Sequence, residues 1–184
     1  MTLNDNEIIL KEILPKKSFF FNMTEKLRTA FSVFYLAIGV FLITSILNSG
    51  FWFFSIIGIG IFCNALYVTF FRWIVKYWRL KNNYYIITNQ RIAVVEKASG
   101  KIVKYRNLHE IDQVNAEMNT KHFGNIIFGE PETIFGRDDE KFSFFRRRGI
   151  NFSEDKYAFI SVENINEIIP LFNDLGLNVN KTFY

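Results

Sequence analysis

The chain has 184 residues, of which 49% are hydrophobic and 22 are phenylalanine, with one cysteine and a formal charge of +4. Once two long uncharged runs are set aside, that length leaves room for one globular domain of roughly 100 residues and no second one. A lone Cys63 excludes a disulfide framework or a thiolate metal cluster within one chain. The charge does not describe a nucleic-acid binder either, because residues 82–184 carry thirteen basic and fourteen acidic side chains and the excess sits beside an apolar run.

Residues 1–28, with five basic and four acidic side chains, read as a cytoplasmic leader. Residues 29–47 (TAFSVFYLAIGVFLITSIL) and 51–71 (FWFFSIIGIGIFCNALYVTFF) then hold no charge at all. As helices rising 1.5 Å per residue, each is long enough to cross about 30 Å of hydrocarbon. Neither has the polar face that a soluble core helix of such length needs, and no cleavage site for a signal peptide lies between them. Transmembrane helices are therefore predicted at residues 29–47 and 51–73. Asn48, Ser49 and Gly50 form so short a link that the two must be antiparallel neighbours.

Lys16, Lys17, Lys26 and Arg28 precede the first run, and Arg72, Lys76, Arg79 and Lys81 follow the second, so the positive-inside rule puts both termini in the cytoplasm of an inner-membrane, multi-pass protein. Trp73, Tyr77 and Trp78 fit an interfacial aromatic belt, and the bilayer is the first partner implied. Gly58, Gly60 and Asn64 suit close helix approach or hydrogen bonding, within the hairpin or to another copy. Two helices enclose no pore, which argues against a transport path at Asn64.

After Asn82 the pattern changes to short β-prone runs at 84–88, 91–96 and 102–107, with residues 97–101 as a hairpin loop in which Gly100 is free to take positive φ. In the third run Val103 and Tyr105 are expected on the buried face and Lys104 and Arg106 on the wet one. Further strands are predicted at 114–118, 125–128, 142–145 and 157–160, making about seven. A helix follows, with Ser161 as N-cap and Val162, Ile165, Ile168, Ile169, Phe172 and Leu175 as its apolar stripe. Pro170 inside that stripe predicts a kink or an early end. The folded domain is thus expected over residues 82–176, with 177–184 as a tail.

Tyr85, Ile87, Thr88, Asn89 and Arg91 fit a Tyr-x-Ile-Thr-Asn-x-Arg strand soon after a transmembrane hairpin; Leu108, Ile111 and Val114 fit a following Leu and I-x-x-V step, and Gly124, Ile126 and Phe128 a G-x-I-x-F step. With the leader residues Glu7, Leu10 and Pro15, this pattern resembles the membrane-associated bacterial pleckstrin-homology-like family. The resemblance implies a helical hairpin plus an α+β domain, a barrel or sandwich of about seven antiparallel strands capped by a C-terminal helix. Residues 129–156 depart from it, being longer and more charged than a simple strand connection.

No phosphate-cradling glycine loop, G-x-S-x-G or H-E-x-x-H occurs, so no enzyme, metal or cofactor is expected. Asp138, Asp139 and Glu140 are consecutive acids in a charged loop and read as solvated. Arg137, Lys141, Arg146, Arg147 and Arg148 form the densest cationic patch and are the candidate contacts for an anionic headgroup, since arginine forks suit phosphate. The Thr88-Asn89-x-Arg91 motif reads instead as a turn and strand-start device. The expectation is a membrane-anchored, non-enzymatic interaction module that binds a protein partner or anionic lipid headgroups. The alternatives are a homo-oligomeric structural assembly, through self-association, and an accessory subunit of a transporter or enzyme.

Overall fold

The structure is a computed structural model that describes residues 3–49, 52–132, 134, 155 and 157–184. The described residues fall into two compact units, one helical over 23–76 and one globular that gathers 3–22, 77–132 and the chain from 155 onward. The predicted strand at 142–145 and the acids at 138–140 lie outside the described residues.

In the helical unit, α1 (Met23–Ser49) packs against α2 (Trp52–Leu66), which passes through a π-turn (Tyr67–Phe71) into α3 (Arg72–Asn82). Met23–Ile46 and Ile56–Asn82 are each long and apolar enough to cross a membrane, and only 11% and 22% of their most apolar stretches are buried. A core helix of a soluble protein hides such a stretch; here Val33, Phe34, Phe41, Ile56 and Ile57 are turned outward. The two helices meet through small residues: a Cβ on Gly58 would lie 2.9 Å from Ile46 Cδ1, and one on Gly39 3.4 Å from Ala65 Cβ. The π-turn inserts one residue into the helical repeat, so the consecutive residues Val68 and Thr69 are both buried. Thr69 Oγ1 then donates to the Ser32 carbonyl of α1 at 2.9 Å. At the charged end, Glu25 takes Arg28 at 3.0 Å and Arg72 at 3.7 Å, and Arg72 Nη2 donates to Thr29 Oγ1 at 3.2 Å.

The globular unit is two four-stranded sheets and a helix, an α+β fold. The first sheet has the order β1 (Ile9–Ile13), β2 (Asn83–Thr88), β3 (Arg91–Glu96), β4 (Ile102–Asn107), all antiparallel. The second has the order β7 (Ala158–Val162), β6 (Gly124–Phe128), β5 (Val114–Met118), β8 (Val179–Phe183), with β8 parallel to β5. Between the sheets, Tyr85, Ile87 and Ile92 meet Val114, Met118, Ile126, Phe128 and Phe159. Helix α4 (Ile165–Asp174) adds Ile165, Ile168, Ile169 and Phe172, and each such burial stabilises by roughly 1.5–3 kcal/mol. The outer face of the first sheet holds a second cluster, Ile86, Ala93 and Val95, which is why β2 and β3 read as nearly continuous apolar runs.

Two segments expected outside the domain belong to it. The leader supplies β1, then crosses the second sheet: the Lys16 amide donates to the Ser161 carbonyl at 2.8 Å, Phe20 meets Phe123 and Tyr184 edge-on, and Asn22 Nδ2 donates to Glu117 Oε2 at 2.5 Å. The expected tail supplies β8. In chain order, the helical hairpin is thus inserted between the first and second strands of the globular unit.

The start of α4 also differs from expectation. Ser161 lies inside β7 with φ 58°, fully buried, and its hydroxyl has no hydrogen-bond partner among the described residues, while the N-cap is Asn164 in the left-handed conformation. A bulge in the β6–β7 pairing consumes the residues that the helical period had claimed. Pro170 does not end the helix, which continues to Asp174, because the proline lies on the exposed side where water can satisfy the carbonyl it strands.

Candidate ligand-binding cleft

Strand β4 differs from the alternation expected of it. Antiparallel partners share a face, and Lys104 pairs with Val94 and Arg106 with Ile92, so both cations lie on the face turned toward the main core. Tyr105 pairs with Ala93 on the opposite face, and the register slip between Val94 and Val95 makes Val103 the extra residue of a bulge. The expected apolar face is accordingly not buried: Val103 and Tyr105 are each 53% exposed. Arg106 is spent on structure, donating to the Phe128 and Glu110 carbonyls, both at 2.7 Å, with its guanidinium 5.3 Å from the Tyr157 ring.

Where an edge strand presents a lysine instead of a hydrophobe to its neighbour sheet, the space between them stays unfilled. A cleft of about 220 Å³ results, with a wall from β3 and β4 (Ile92, Val94, Lys104) and a facing wall from β7 (Ala158, Phe159, Ile160). Arg79 of α3 also lines it, together with Asn83, Tyr85, Tyr157 and Asp155. Arg79 and Lys104 are exposed, whereas Tyr85 and Phe159 are buried and stacked, with ring centroids 4.5 Å apart and planes 9° apart. The Tyr85 hydroxyl holds β7 in place, since it is 3.1 Å from both the carbonyl oxygen and the amide nitrogen of Ile160 and can donate to one and accept from the other. The cleft therefore combines two cations and the Asp155 carboxylate with aromatic and aliphatic walls, a lining suited to an amphiphilic ligand.

Arg137, Lys141, Arg146, Arg147 and Arg148 lie outside the described residues. The chain that bears them departs at Glu132 and returns at Asp155, and these two ends are joined by a 2.6 Å hydrogen bond from the Glu132 amide to Asp155 Oδ1. Asp155 itself lines the cleft. Sequence reading missed Arg79, Lys104 and Tyr157. The one available signal was Lys104 and Arg106 alternating with apolar residues, which shows two faces but not which of them points inward.

The motif around Thr88 fastens the leader. Arg91 clasps Glu7 with Nε to Oε1 and Nη2 to Oε2, both at 2.8 Å, and Thr88 Oγ1 lies 2.9 Å from Glu7 Oε1. Asn89 takes the Ile8 amide at 2.9 Å and gives to the Asn6 carbonyl at 3.0 Å. Burial pushes the Glu7 carboxyl upward, but hydrogen bonds from Arg91, the Asn4 amide and Thr88, with the Arg91 charge, outweigh it and hold the carboxyl below the ordinary glutamate value. Tyr184 is displaced the other way: burial first, then the neighbouring Glu117 carboxylate, raises its phenol. Among the described residues no group of three or more His, Cys, Asp or Glu is placed to hold a metal ion. Comparison with protein-family models, with curated proteins and with solved structures gave no match to this chain.

Proposed function

We propose that this chain is a membrane-anchored, non-enzymatic interaction module that presents a pleckstrin-homology-like domain at the cytoplasmic face of a bacterial inner membrane, with both termini in the cytoplasm, and binds anionic lipid headgroups in the cleft. Support for the fold reading comes from the order of elements: an antiparallel sheet with β1 to β4 side by side in sequence order and the helical hairpin between β1 and β2, then β5 to β7, then α4. Strand β8 is an addition to that order. The observation that carries the ligand reading is the cleft itself, with Arg79 and Lys104 beside aromatic and aliphatic walls. Arg79 follows the last residue of the uncharged run, Phe71, by eight positions, so the chain cannot carry it far from the headgroup layer. In this reading Arg137, Lys141, Arg146, Arg147 and Arg148 remain candidate headgroup contacts by their chemistry alone. A protein partner is the second reading, favoured by β4 being, among the described residues, the edge of its sheet, a place suited to strand addition.

Native mass spectrometry of the detergent-solubilised full chain tests the two. The lipid reading expects retained anionic phospholipid, with a severalfold loss in Arg79→Gln/Lys104→Gln and a further loss when Arg146, Arg147 and Arg148 are each changed to Ala. Equal retention of anionic and zwitterionic lipid in wild type and both variants contradicts it and leaves the protein-partner reading.

A further inference from the structure

The lipid-facing side of α2 carries a polar group that the hairpin does not satisfy. Asn64 is exposed, lies seven residues before the end of the uncharged run, and is thus about 10 Å inside the hydrocarbon when the helix spans a membrane. Its side chain makes no hydrogen bond among the described residues. An amide in hydrocarbon has two donors and an acceptor to satisfy and no water with which to do so. One turn away on the same face is Gly60, where an added Cβ would meet nothing within 4 Å. Gly58 and Ala65, by contrast, point the other way and make the contact with α1. Gly60, Asn64 and the exposed Cys63 therefore form an outward face that plays no part in holding the hairpin together.

We infer that this face is where a second copy of the chain docks, the two α2 helices crossing at Gly60 and exchanging hydrogen bonds between their Asn64 amides. Copies inserted in the same sense present Asn64 at the same depth, and a carboxamide is self-complementary: each Nδ2–H donates to the other's Oδ1 across a two-fold axis along the membrane normal. Gly60, close to the middle of the run, removes the side chain that would hold the backbones apart at the crossing. The inference rests on the membrane-spanning reading, and is independent of what the cleft binds.

Cys63, the single cysteine, is the reporter. Isolated membranes containing the full chain are treated with copper phenanthroline, and an aliquot is washed in alkaline carbonate. The expected result is a disulfide-linked dimer of twice the chain mass, reduced at least fivefold in Asn64→Leu and in Gly60→Ile. Both sites face outward, so neither change should unfold the hairpin. A control carrying Cys63→Ser with Phe34→Cys, on the exposed face of α1, should crosslink at least fivefold less than wild type. Retention in the carbonate pellet with crosslinking equal in the control, or unchanged by both substitutions, overturns the association alone. A Cys63 adduct of any other mass assigns the face to a different membrane protein and overturns it too. Release into the carbonate supernatant overturns the spanning reading and this inference together.

Discussion

Glu7 and Arg91 stand 84 positions apart in sequence and form a bidentate pair, with the Glu7 side chain fully buried and Arg91 nearly so. Breaking such a pair leaves a charge without its partner in low dielectric, so Arg91→Met is expected to cost about 3–5 kcal/mol, measured by thermal or denaturant unfolding. Because the folded-state carboxyl is held below its ordinary value of 4.5, its contribution is present above that pH and is lost as pH falls through the lower folded value. Glu7→Gln should therefore flatten the acid limb of the stability profile, and an unchanged limb would contradict the pairing. Tyr85→Phe removes the hydroxyl that serves both backbone groups of Ile160 and is expected to cost about 1–3 kcal/mol, read in the same way. The residue types of this motif were legible in the sequence. So was their local use as a turn device, since Thr88 Oγ1 accepts from the Gln90 amide at 3.2 Å and the Arg91 amide at 2.9 Å. Their hold on the leader was not, because Glu7, Ile8 and Asn6 lie more than 80 positions away, beyond the reach of any local pattern.

At the scale of elements, β3, β4 and β5 have the bounds that alternation and turn residues predict, and the six-residue β3 is apolar throughout its middle. Strands β1 and β8 escaped for a physical reason: each is a sheet edge with at most one buried residue, so neither carries an apolar period. The cleft escaped likewise, since it arises from the inward turn of Lys104, which only the pairing register fixes. The glycine of the G-x-I-x-F step has a local cause. A Cβ on Gly124 would lie 1.8 Å from the Glu117 carbonyl oxygen and 2.7 Å from Met118 Cα, both backbone atoms of the neighbouring strand. Gly124→Ala must therefore force β5 and β6 apart, and a loss on the order of 3 kcal/mol or more is expected. A stability within 1 kcal/mol of wild type would show the two strands able to shift.

For the whole molecule, the consequence of the inserted hairpin is that the globular unit is assembled from chain on both sides of it. A fragment of residues 77–184 lacks β1, Phe20 and the Glu7 clasp, so it should fail to show a cooperative unfolding transition. Adding a peptide of residues 3–22 should restore one, and a fragment that melts cooperatively by itself would contradict the assembly described here. The helical unit supports the membrane reading through its outward apolar surface and the cations that flank it. The most direct test is impermeant-maleimide labelling of intact cells and of permeabilised ones, in a Cys63→Ser background carrying either Ser49→Cys in the short link or Lys97→Cys in the β3–β4 loop. The account predicts labelling of position 49 from outside and of position 97 only after permeabilisation; labelling of both from the same side would contradict a hairpin that crosses the membrane.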